Sequence, residues 1–224
     1  MGQNARALAG SGARLIGGCC EVHPDHIREM AGYLLSRRPR SAEAISTRSM
    51  EPVGDDVKRL NGRFSEKVKT GQFAISLEMV PPRGTGPRLL QSKIDFIKEL
   101  ADSGIADAVD ITDGSRGIPL MPPGDLIALV RERLGWTEET GDGIEMIPHF
   151  ASRDLNTMGI QSRLIGYNAR RIRNVLYITG DPPKMSPTYP RATPVFDMDS
   201  IQMIRLTHEM LNAGVDFGGQ PLGR

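Results

Sequence analysis

The sequence predicts an α/β protein whose main part is a partial (β/α)8 TIM barrel of about four to five β/α units, preceded by an N-terminal strand-helix segment and a linker. From residue 73 onwards, short strand patterns alternate with amphipathic helical patterns, which predicts a parallel sheet. No Gly-x-Gly-x-x-Gly follows any predicted strand, so an open dinucleotide-binding sheet has no support. A complete (β/α)8 barrel has about 250 residues. The segment 73–224 is much shorter than that, so we expect roughly half of a barrel.

The N-terminal part divides into two predicted segments, residues 1–36 and 37–70. In the first, residues 13–16 form a short strand and residues 24–35 a helix, with Pro24 at the first helical position. The second begins with a stretch rich in Arg, Ser, Glu and Pro that has no hydrophobic periodicity, which is typical of a linker. A short amphipathic helix at residues 55–69 ends it, and residues 71–224 follow as the barrel part.

The first strand of the barrel part covers residues 73–80, where apolar side chains alternate with small and polar ones. This alternation puts Glu78 on the polar face, and Pro81 and Pro82 end the strand just after it. The remaining predicted elements are a helix at 88–103 with Gly104 as its C-cap, a strand at 106–113, a helix at 123–134, a strand at 143–150, a helix at 154–171, a strand at 174–179, a helix at 199–211 and a fifth strand that starts at 214–218.

The composition argues against several partners. Lys and Arg total 28 against 27 Asp and Glu, so no net field favours nucleic acid or an anionic membrane surface. No apolar run approaches the ~20 residues that cross a bilayer, and the first residues lack the apolar core of a signal peptide. Cys19 and Cys20 are adjacent and cannot join distant segments, which fits a reducing compartment. We therefore expect a cytoplasmic protein with no nucleic-acid or membrane partner.

Polar residues end each of the first four predicted strands. They are Glu78 on the first strand, Asp110, Thr112 and Asp113 on the second, His149 on the third, and Thr179 with Asp181 on the fourth. The carboxyl ends of parallel strands share one rim, which is where barrel active sites lie. Polar residues also collect wherever strands pass into loops, so the pattern alone leaves a structural interpretation open.

The residue types suggest roles at this rim. Glu78, shielded by the two prolines and close to Met79, would hold a proton near neutral pH and suits a general acid. Asp181 follows Gly180, which allows a ligand to approach the backbone closely, and its charge would act on a bound cofactor; turn formation by Asp-Pro is the alternative. His149 is suited to binding a phosphate or to packing within the rim. The other histidines have no ligand spacing, so we expect no metal site among them.

Six motifs occur in an order that resembles the methylenetetrahydrofolate reductase family. They are Ser76-Leu-Glu-Met-Val-Pro-Pro-Arg83, Asp110-Ile-Thr-Asp-Gly114, Pro148-His149, Arg153-Asp-Leu-Asn156, Asn174-Val-Leu-Tyr-Ile-Thr-Gly-Asp-Pro-Pro183 and Phe196-Asp197. The resemblance covers about residues 73–224. It implies a flavin-dependent (β/α)8 barrel that reduces 5,10-methylenetetrahydrofolate to 5-methyltetrahydrofolate, with hydride from NAD(P)H passing through FAD. Whether NADH or NADPH is the donor stays open.

Carried over position by position, the resemblance implies roles for individual residues. Glu78 is similar to the general acid that assists opening of the folate imidazolidine ring, and Asp181 to the carboxylate near flavin and folate. Thr112 and His149 match flavin-contacting positions, and the stretch of Thr179, Gly180 and Asp181 matches one that lies against the isoalloxazine. Three further matches carry no individual role: Arg153, Asp154 and Asn156.

The N-terminal segment has its own resemblance. Ile16-Gly-Gly-Cys-Cys-Glu-Val-His-Pro-Asp-His-Ile27 resembles the end of a homocysteine S-methyltransferase domain, in which the paired cysteines are two of three zinc thiolates. In some bacteria that domain precedes the reductase in one polypeptide. Cys19 and Cys20 alone make an incomplete zinc site. We expect a remnant of the domain, without bound zinc, in a chain that is a fragment of a longer bifunctional protein.

The sequence therefore leaves three hypotheses. In the first, the chain is a flavoenzyme that binds FAD and a folate substrate. In the second, it is a non-catalytic or assembly-dependent half barrel that requires a complementary chain or a homo-oligomer, because its two sheet edges are apolar and unpaired. In the third, it is a zinc-dependent homocysteine S-methyltransferase acting through Cys19 and Cys20.

Overall fold

The computed structural model describes residues 1–13, 16, 22–35, 61–137 and 140–223. The chain divides into two compact units, Met1–Pro52 and Val53–Arg224. The described helices include none that is long and apolar enough to cross a membrane.

In the described part of the first unit, two helices pack against each other, α1 (Gly2–Gly10) and α2 (Pro24–Leu35). Helix α2 begins at Pro24, as predicted. Helix α1 was not predicted from the sequence. The backbone N–H of Gly2 donates to Oε1 of Glu29 at 3.0 Å, and the absence of a side chain at Gly2 leaves room for the Tyr33 ring. Part of the predicted strand at 13–16 and the pair Cys19 and Cys20 lie outside the described residues.

The second unit alternates strands with helices, as the sequence predicts. Its described elements are α3 (Gly62–Lys69), β1 (Ser76–Met79), α4 (Pro87–Ser103), β2 (Ala108–Ile111), α5 (Pro123–Leu134), β3 (Glu145–Ala151), α6 (Thr157–Ala169), β4 (Leu176–Ile178) and α7 (Ser200–Leu206), the last continuing into a π-helical turn at Thr207–Leu211. The strands form one parallel sheet in the order β1-β2-β3-β4. The α/β class and the parallel sheet are confirmed, and closure into a barrel stays a prediction.

The register gives the sheet two chemically different faces. Glu78 is paired with Asp110, and Asp110 with Ile147, so these three side chains share one face. Met79 and Ile111 pair on the opposite face, which the helices cover. We call the first of these the open face.

The core lies between the sheet and its helices. Phe150 on β3 is fully buried, and its ring packs 5.9 Å from that of Tyr167 on α6 and 5.8 Å from that of Tyr177 on β4. Burial raises the pKa of Tyr167 to about 12. Each such apolar side chain contributes about 1.5–3 kcal/mol to folding through its removal from water. The helix-side face therefore stabilises the fold.

Capping interactions fix where the helices begin and end. Asn156 accepts the backbone N–H of Gly159 at 2.9 Å and caps α6, and Asp199 with Gln202 forms a capping box on α7. Gly104 ends α4 in the left-handed conformation, at φ 64°, which confirms the predicted C-cap. Both N-terminal caps lie in loops that leave the carboxyl ends of strands.

Polar contacts from α3 and the residue before it secure the amino end of the sheet. Lys67 pairs with Asp107 at 2.5 Å, and Nδ2 of Asn174 donates to the carbonyl of Asn61 at 2.6 Å and to Oε1 of Glu145 at 3.0 Å. Burial raises the pKa of Glu145, while the hydrogen bond from Asn174 opposes this shift.

The predicted fifth strand at 214–218 is wrong. The described part of this region has one isolated antiparallel bridge, between Val215 and Pro221, and none of it joins the parallel sheet. The Asp216 carboxylate accepts the backbone N–H groups of Gly218 at 2.9 Å and Gln220 at 2.7 Å. These local hydrogen bonds favour a tight turn over an extended ladder.

Candidate active site at the carboxyl ends of the strands

Glu78 lies on the open face of β1, and its side chain is exposed. Met79, which the sequence suggested lies close to this carboxylate, is on the opposite face and is buried among the helices. That part of the argument is wrong, because neighbouring residues of a strand point to opposite sides. Water reaches Glu78, so desolvation of this carboxylate would have to come from a bound molecule.

Asp110 joins the open-face residues into a polar row. Its Oδ2 accepts a hydrogen bond from the Ser76 hydroxyl, and its Oδ1 lies 3.9 Å from Nε2 of His149. His149 is 9 % exposed. The sequence named Asp110 only as one of several strand-end acids, whereas the structure makes it the link between β1 and β3 beside Glu78.

Thr112 extends this row beyond the end of β2. The residue is 4 % exposed, and among the described residues its Oγ1 has no hydrogen-bond partner. Its backbone N–H donates to the carbonyl of Met79 at 3.1 Å. A buried hydroxyl without a partner costs about 1–3 kcal/mol, and such an atom is suited to a ligand that provides the missing hydrogen bond.

Thr179 and Gly180 directly follow β4, and both make close contacts within the protein. The Thr179 hydroxyl accepts the backbone N–H of Ser200 at 3.1 Å, so it is engaged with the start of α7. Gly180 has φ 92°, and a Cβ there would lie 3.0 Å from Cβ of Arg153 and 3.3 Å from Cβ of Ala151. The close approach that requires glycine at this position is therefore made by neighbouring protein atoms.

Asp181 is connected to the loop that follows β2. Its Oδ2 accepts the backbone N–H of Arg116 at 2.9 Å. From the described residues, its Oδ1 receives no hydrogen bond, so that oxygen is available to a ligand. Two strands separate β1, which carries Glu78, from β4, which precedes Asp181. At about 4.8 Å per strand spacing, this corresponds to roughly 14 Å along the sheet.

Arg153 is the residue at this rim whose importance the sequence did not indicate. Its guanidinium contacts the carboxylate of Asp154 and the backbone carbonyls of Gly114 and Asp181. The hydrogen bonds to Asp154 raise the pKa of Arg153 above its already high ordinary value. The motif match flagged these positions but not the contacts, which join segments far apart in the chain.

Asp113, another acid at the end of β2, makes contacts that hold neighbouring elements together. Its Oδ2 accepts the backbone N–H of Ala151 at 3.0 Å and Nη1 of Arg163 at 2.8 Å. The Arg163 guanidinium also lies 5.1 Å from the centre of the Phe150 ring. Asp113 therefore ties β2 to β3 and α6 rather than facing a ligand.

A cavity of about 350 Å³ opens between the loops after β2, β3 and β4. It is lined by Gly117, Pro119, Arg153, Asp154, Pro183, Tyr189 and Ala192. This volume is at the lower end of the range for small-molecule sites. Glu78, Thr112 and His149 are not among its lining residues, so the cavity and the open face are separate features of the same rim.

Comparison with known protein families shows which family the chain belongs to. A family model described as methylenetetrahydrofolate reductase matches residues 63–218. The chain belongs to the methylenetetrahydrofolate reductase family. Membership supports an oxidoreductase of folate metabolism. The matched region contains the six predicted catalytic or cofactor-binding residues, which are Glu78, Thr112, His149, Thr179, Gly180 and Asp181.

The first residues match a second family. A family model described as homocysteine S-methyltransferase matches residues 1–34, which confirms the architecture suspected from the sequence. Cys19 and Cys20, the two candidate zinc ligands, lie outside the described residues. Within the described ranges, no group of three or more His, Cys, Asp or Glu is arranged to hold a metal ion. No curated protein matches the chain.

Proposed function

We propose that the chain carries the catalytic face of a cytoplasmic reductase that converts 5,10-methylenetetrahydrofolate to 5-methyltetrahydrofolate through FAD, with NAD(P)H as electron donor. The observation that carries this proposal is the polar row of Glu78, Asp110, Thr112 and His149 on one open face, at the carboxyl ends of parallel strands and inside the family match. The proposed domains are residues 1–36, 37–70 and 71–224. The boundary between the compact units, after Pro52, falls within the second of these.

The residues present fit a flavin. Thr112 offers a buried hydroxyl that has no partner among the described residues, and His149 lies beside it on the neighbouring strand. At Thr179 the hydroxyl accepts the Ser200 N–H and the carbonyl accepts the backbone N–H of Arg153, so the support for a flavin comes from Thr112 and His149. Bound FAD would take a hydride from NAD(P)H and deliver it to the folate carbon.

Glu78 is the proposed proton donor. When one C–N bond of the folate imidazolidine ring breaks, the proton of Glu78 goes to the departing nitrogen, and the carbon is left as an iminium. Addition of hydride to that carbon gives the methyl group, so one proton and one hydride are consumed per turnover. Because Glu78 is exposed on the open face, the substrate can reach it and exclude water from it in the same step.

Asp181 supplies a fixed negative charge near the edge of the described sheet opposite to the one that carries Glu78. The backbone N–H of Arg116 donates to Oδ2 of Asp181, and Oδ1 of Asp181 can face the folate or the flavin. A carboxylate held in this way needs no reorganisation during the reaction.

The direct test is flavin retention. The purified chain is mixed with FAD, passed through a desalting column and scanned across the visible flavin absorbance, with Thr112→Val as a matched variant. Retained absorbance that is weaker in the variant supports the proposal. If the chain is folded by circular dichroism and retains no flavin, it does not carry a cofactor site by itself.

A second candidate is an assembly-dependent half of such an enzyme, joined by a complementary chain or by another copy. The observation in its favour is apolar exposure at the sheet edges, where Phe73 beside β1 is 86 % exposed and Leu176 on β4 is 42 % exposed. Mass measurement by light scattering tests the homo-oligomer. Appearance of flavin binding only in the oligomer, or only after a complementary barrel segment is added, favours this candidate over the first.

A further inference from the structure

Arg153 stands out for its burial. It lies in the loop between β3 and α6 and is 6 % exposed, and it is the only buried Asp, Glu, Lys or Arg among the residues that the structure describes. Buried charges of this kind are retained where they are paired and fully hydrogen-bonded.

The contacts of Arg153 account for nearly all its donors. Nε and Nη2 donate to the two carboxylate oxygens of Asp154, at 2.8 and 2.5 Å. Nη1 donates to the carbonyl of Gly114 at 3.0 Å and to that of Asp181 at 3.5 Å. A guanidinium has five N–H groups, so four are engaged within the protein. The residue is built to connect loops rather than to bind a substrate anion.

Two glycines surround it closely. A Cβ at Gly114, where φ is 54°, would lie 2.7 Å from Nη2 of Arg153, and a Cβ at Gly180 would lie 3.0 Å from its Cβ. Both distances are shorter than side chains tolerate without movement. The loops after β2 and β4 therefore carry glycine where the Arg153 side chain passes between them.

The same two loops are joined a second time at Asp181. The backbone N–H of Arg116, two residues after Gly114, donates to Oδ2 of Asp181 at 2.9 Å. The backbone N–H of Arg153 also donates to the carbonyl of Thr179 at 3.1 Å. Arg153 and the Asp181 carboxylate thus both connect the loop after β2 with the loop after β4.

We propose that Arg153 is a positioning residue that holds the Asp181 carboxylate in place by clamping the loops after β2 and β4. The effect of this position on chemistry rests on the proposed function, whereas the clamp itself does not. Asp154 neutralises the charge, so the clamp is held without an unpaired buried cation.

The test is the rate of hydrogen exchange at the backbone amide of Arg116, measured on the full 224-residue chain without flavin. This rate reports how often the hydrogen bond from Arg116 to Asp181 opens. In Arg153→Lys the ammonium cannot bind Asp154 at two points and both carbonyls together. We expect Arg116 to exchange about tenfold faster, because its bond to Asp181 opens more often.

The matched control is Arg131→Lys. Arg131 also binds a carboxylate at two points, Asp142 at 2.9 and 3.1 Å, and a backbone carbonyl, that of Arg170 at 2.5 Å. Faster exchange at Arg116 in the Arg153 variant alone supports the clamp. Unchanged exchange there, or equal acceleration in both variants, overturns it. If Arg153→Lys does not fold, Asp154→Ala carries the same expectations, because Asp154 is on the surface and anchors two of the four donors.

A second readout applies when the chain retains FAD. Displacing a fixed negative charge from a flavin raises its midpoint potential, since the reduced form carries more negative charge. We expect Asp181→Asn and Arg153→Lys to shift the potential in the same direction, with the smaller shift in Arg153→Lys. Opposite shifts overturn the proposal. Failure of the wild-type chain to bind FAD refutes the proposed function but leaves the amide-exchange comparison as a complete test of the clamp.

Discussion

Replacement of Thr112 by valine should affect stability and cofactor binding in opposite directions. Valine keeps the shape of threonine and replaces the buried hydroxyl, which has no partner in the described part of the chain, by a methyl group. Removing the cost of an unsatisfied hydroxyl should raise the free energy of unfolding of the flavin-free chain by about 1 kcal/mol. For a chain of this size, this corresponds to a rise of about 2–4 °C in Tm. If Thr112 donates to the flavin, losing one hydrogen bond weakens FAD binding about 2- to 13-fold.

The same substitution at Thr179 is the control. Its hydroxyl accepts the Ser200 N–H at 3.1 Å, so Thr179→Val should lower the free energy of unfolding by about 0.5–1.5 kcal/mol. Thermal melts followed by circular dichroism, with and without FAD, and a fluorescence titration of FAD measure both quantities. A lower Tm for flavin-free Thr112→Val would refute the reasoning, because it would mean that the hydroxyl already makes a stabilising hydrogen bond in the folded chain.

Three further predictions concern the proposed proton donor, a partly buried acid and a core aromatic residue. Glu78→Gln should abolish folate reduction in a flavin-loaded, active protein but leave flavin reduction by NAD(P)H largely intact, as measured by stopped-flow absorbance; equal loss of both half-reactions would contradict the assignment. The raised pKa of Glu145 means that its stabilising contribution is fully present below its ordinary value of 4.5 and is lost as pH rises through the folded value. The Tm of the wild type should therefore fall relative to that of Glu145→Gln as pH increases above 4.5, and parallel curves would argue against this. Phe150→Ala should lower the free energy of unfolding in urea by about 3–5 kcal/mol, whereas Phe96→Ala on the exposed side of α4 should cost far less; similar losses would contradict the packing described.

The elements of the second unit were predictable because their signals are local. Alternation of apolar and polar side chains identified β1 and put Glu78 on the polar face, although the strand is shorter than predicted, at Ser76–Met79. Gly104 marked the end of α4 correctly, and the predicted bounds of α5 agree with the observed Pro123–Leu134. These signals depend on a few neighbouring residues, which is why they can be read without knowledge of the fold.

The fine structure of the rim was not predictable in the same way. The sequence suggested that Gly180 makes room for a ligand, whereas its neighbours are Arg153 and Ala151, which come from β3 and the loop after it. Thr179 is a predicted cofactor contact, and nothing in the sequence indicated that its hydroxyl accepts the N–H of Ser200 at the start of α7, about twenty residues further along the chain. Such contacts join segments that come together only after folding, and no local pattern encodes them. The expected closeness of Met79 to the Glu78 carboxylate is different, because the strand alternation already contradicted it.

The position of the two proposed catalytic carboxylates has a consequence for how the site is controlled. Glu78 lies on one edge strand of the described sheet, and Asp181 follows the other. A strand that pairs with β1 becomes the neighbour of Glu78, and one that pairs with β4 reaches the loop of Asp181. A strand that pairs at either edge would therefore also change the surroundings of one proposed catalytic carboxylate: the solvation of Glu78 at one edge, or the contacts of the Asp181 loop at the other.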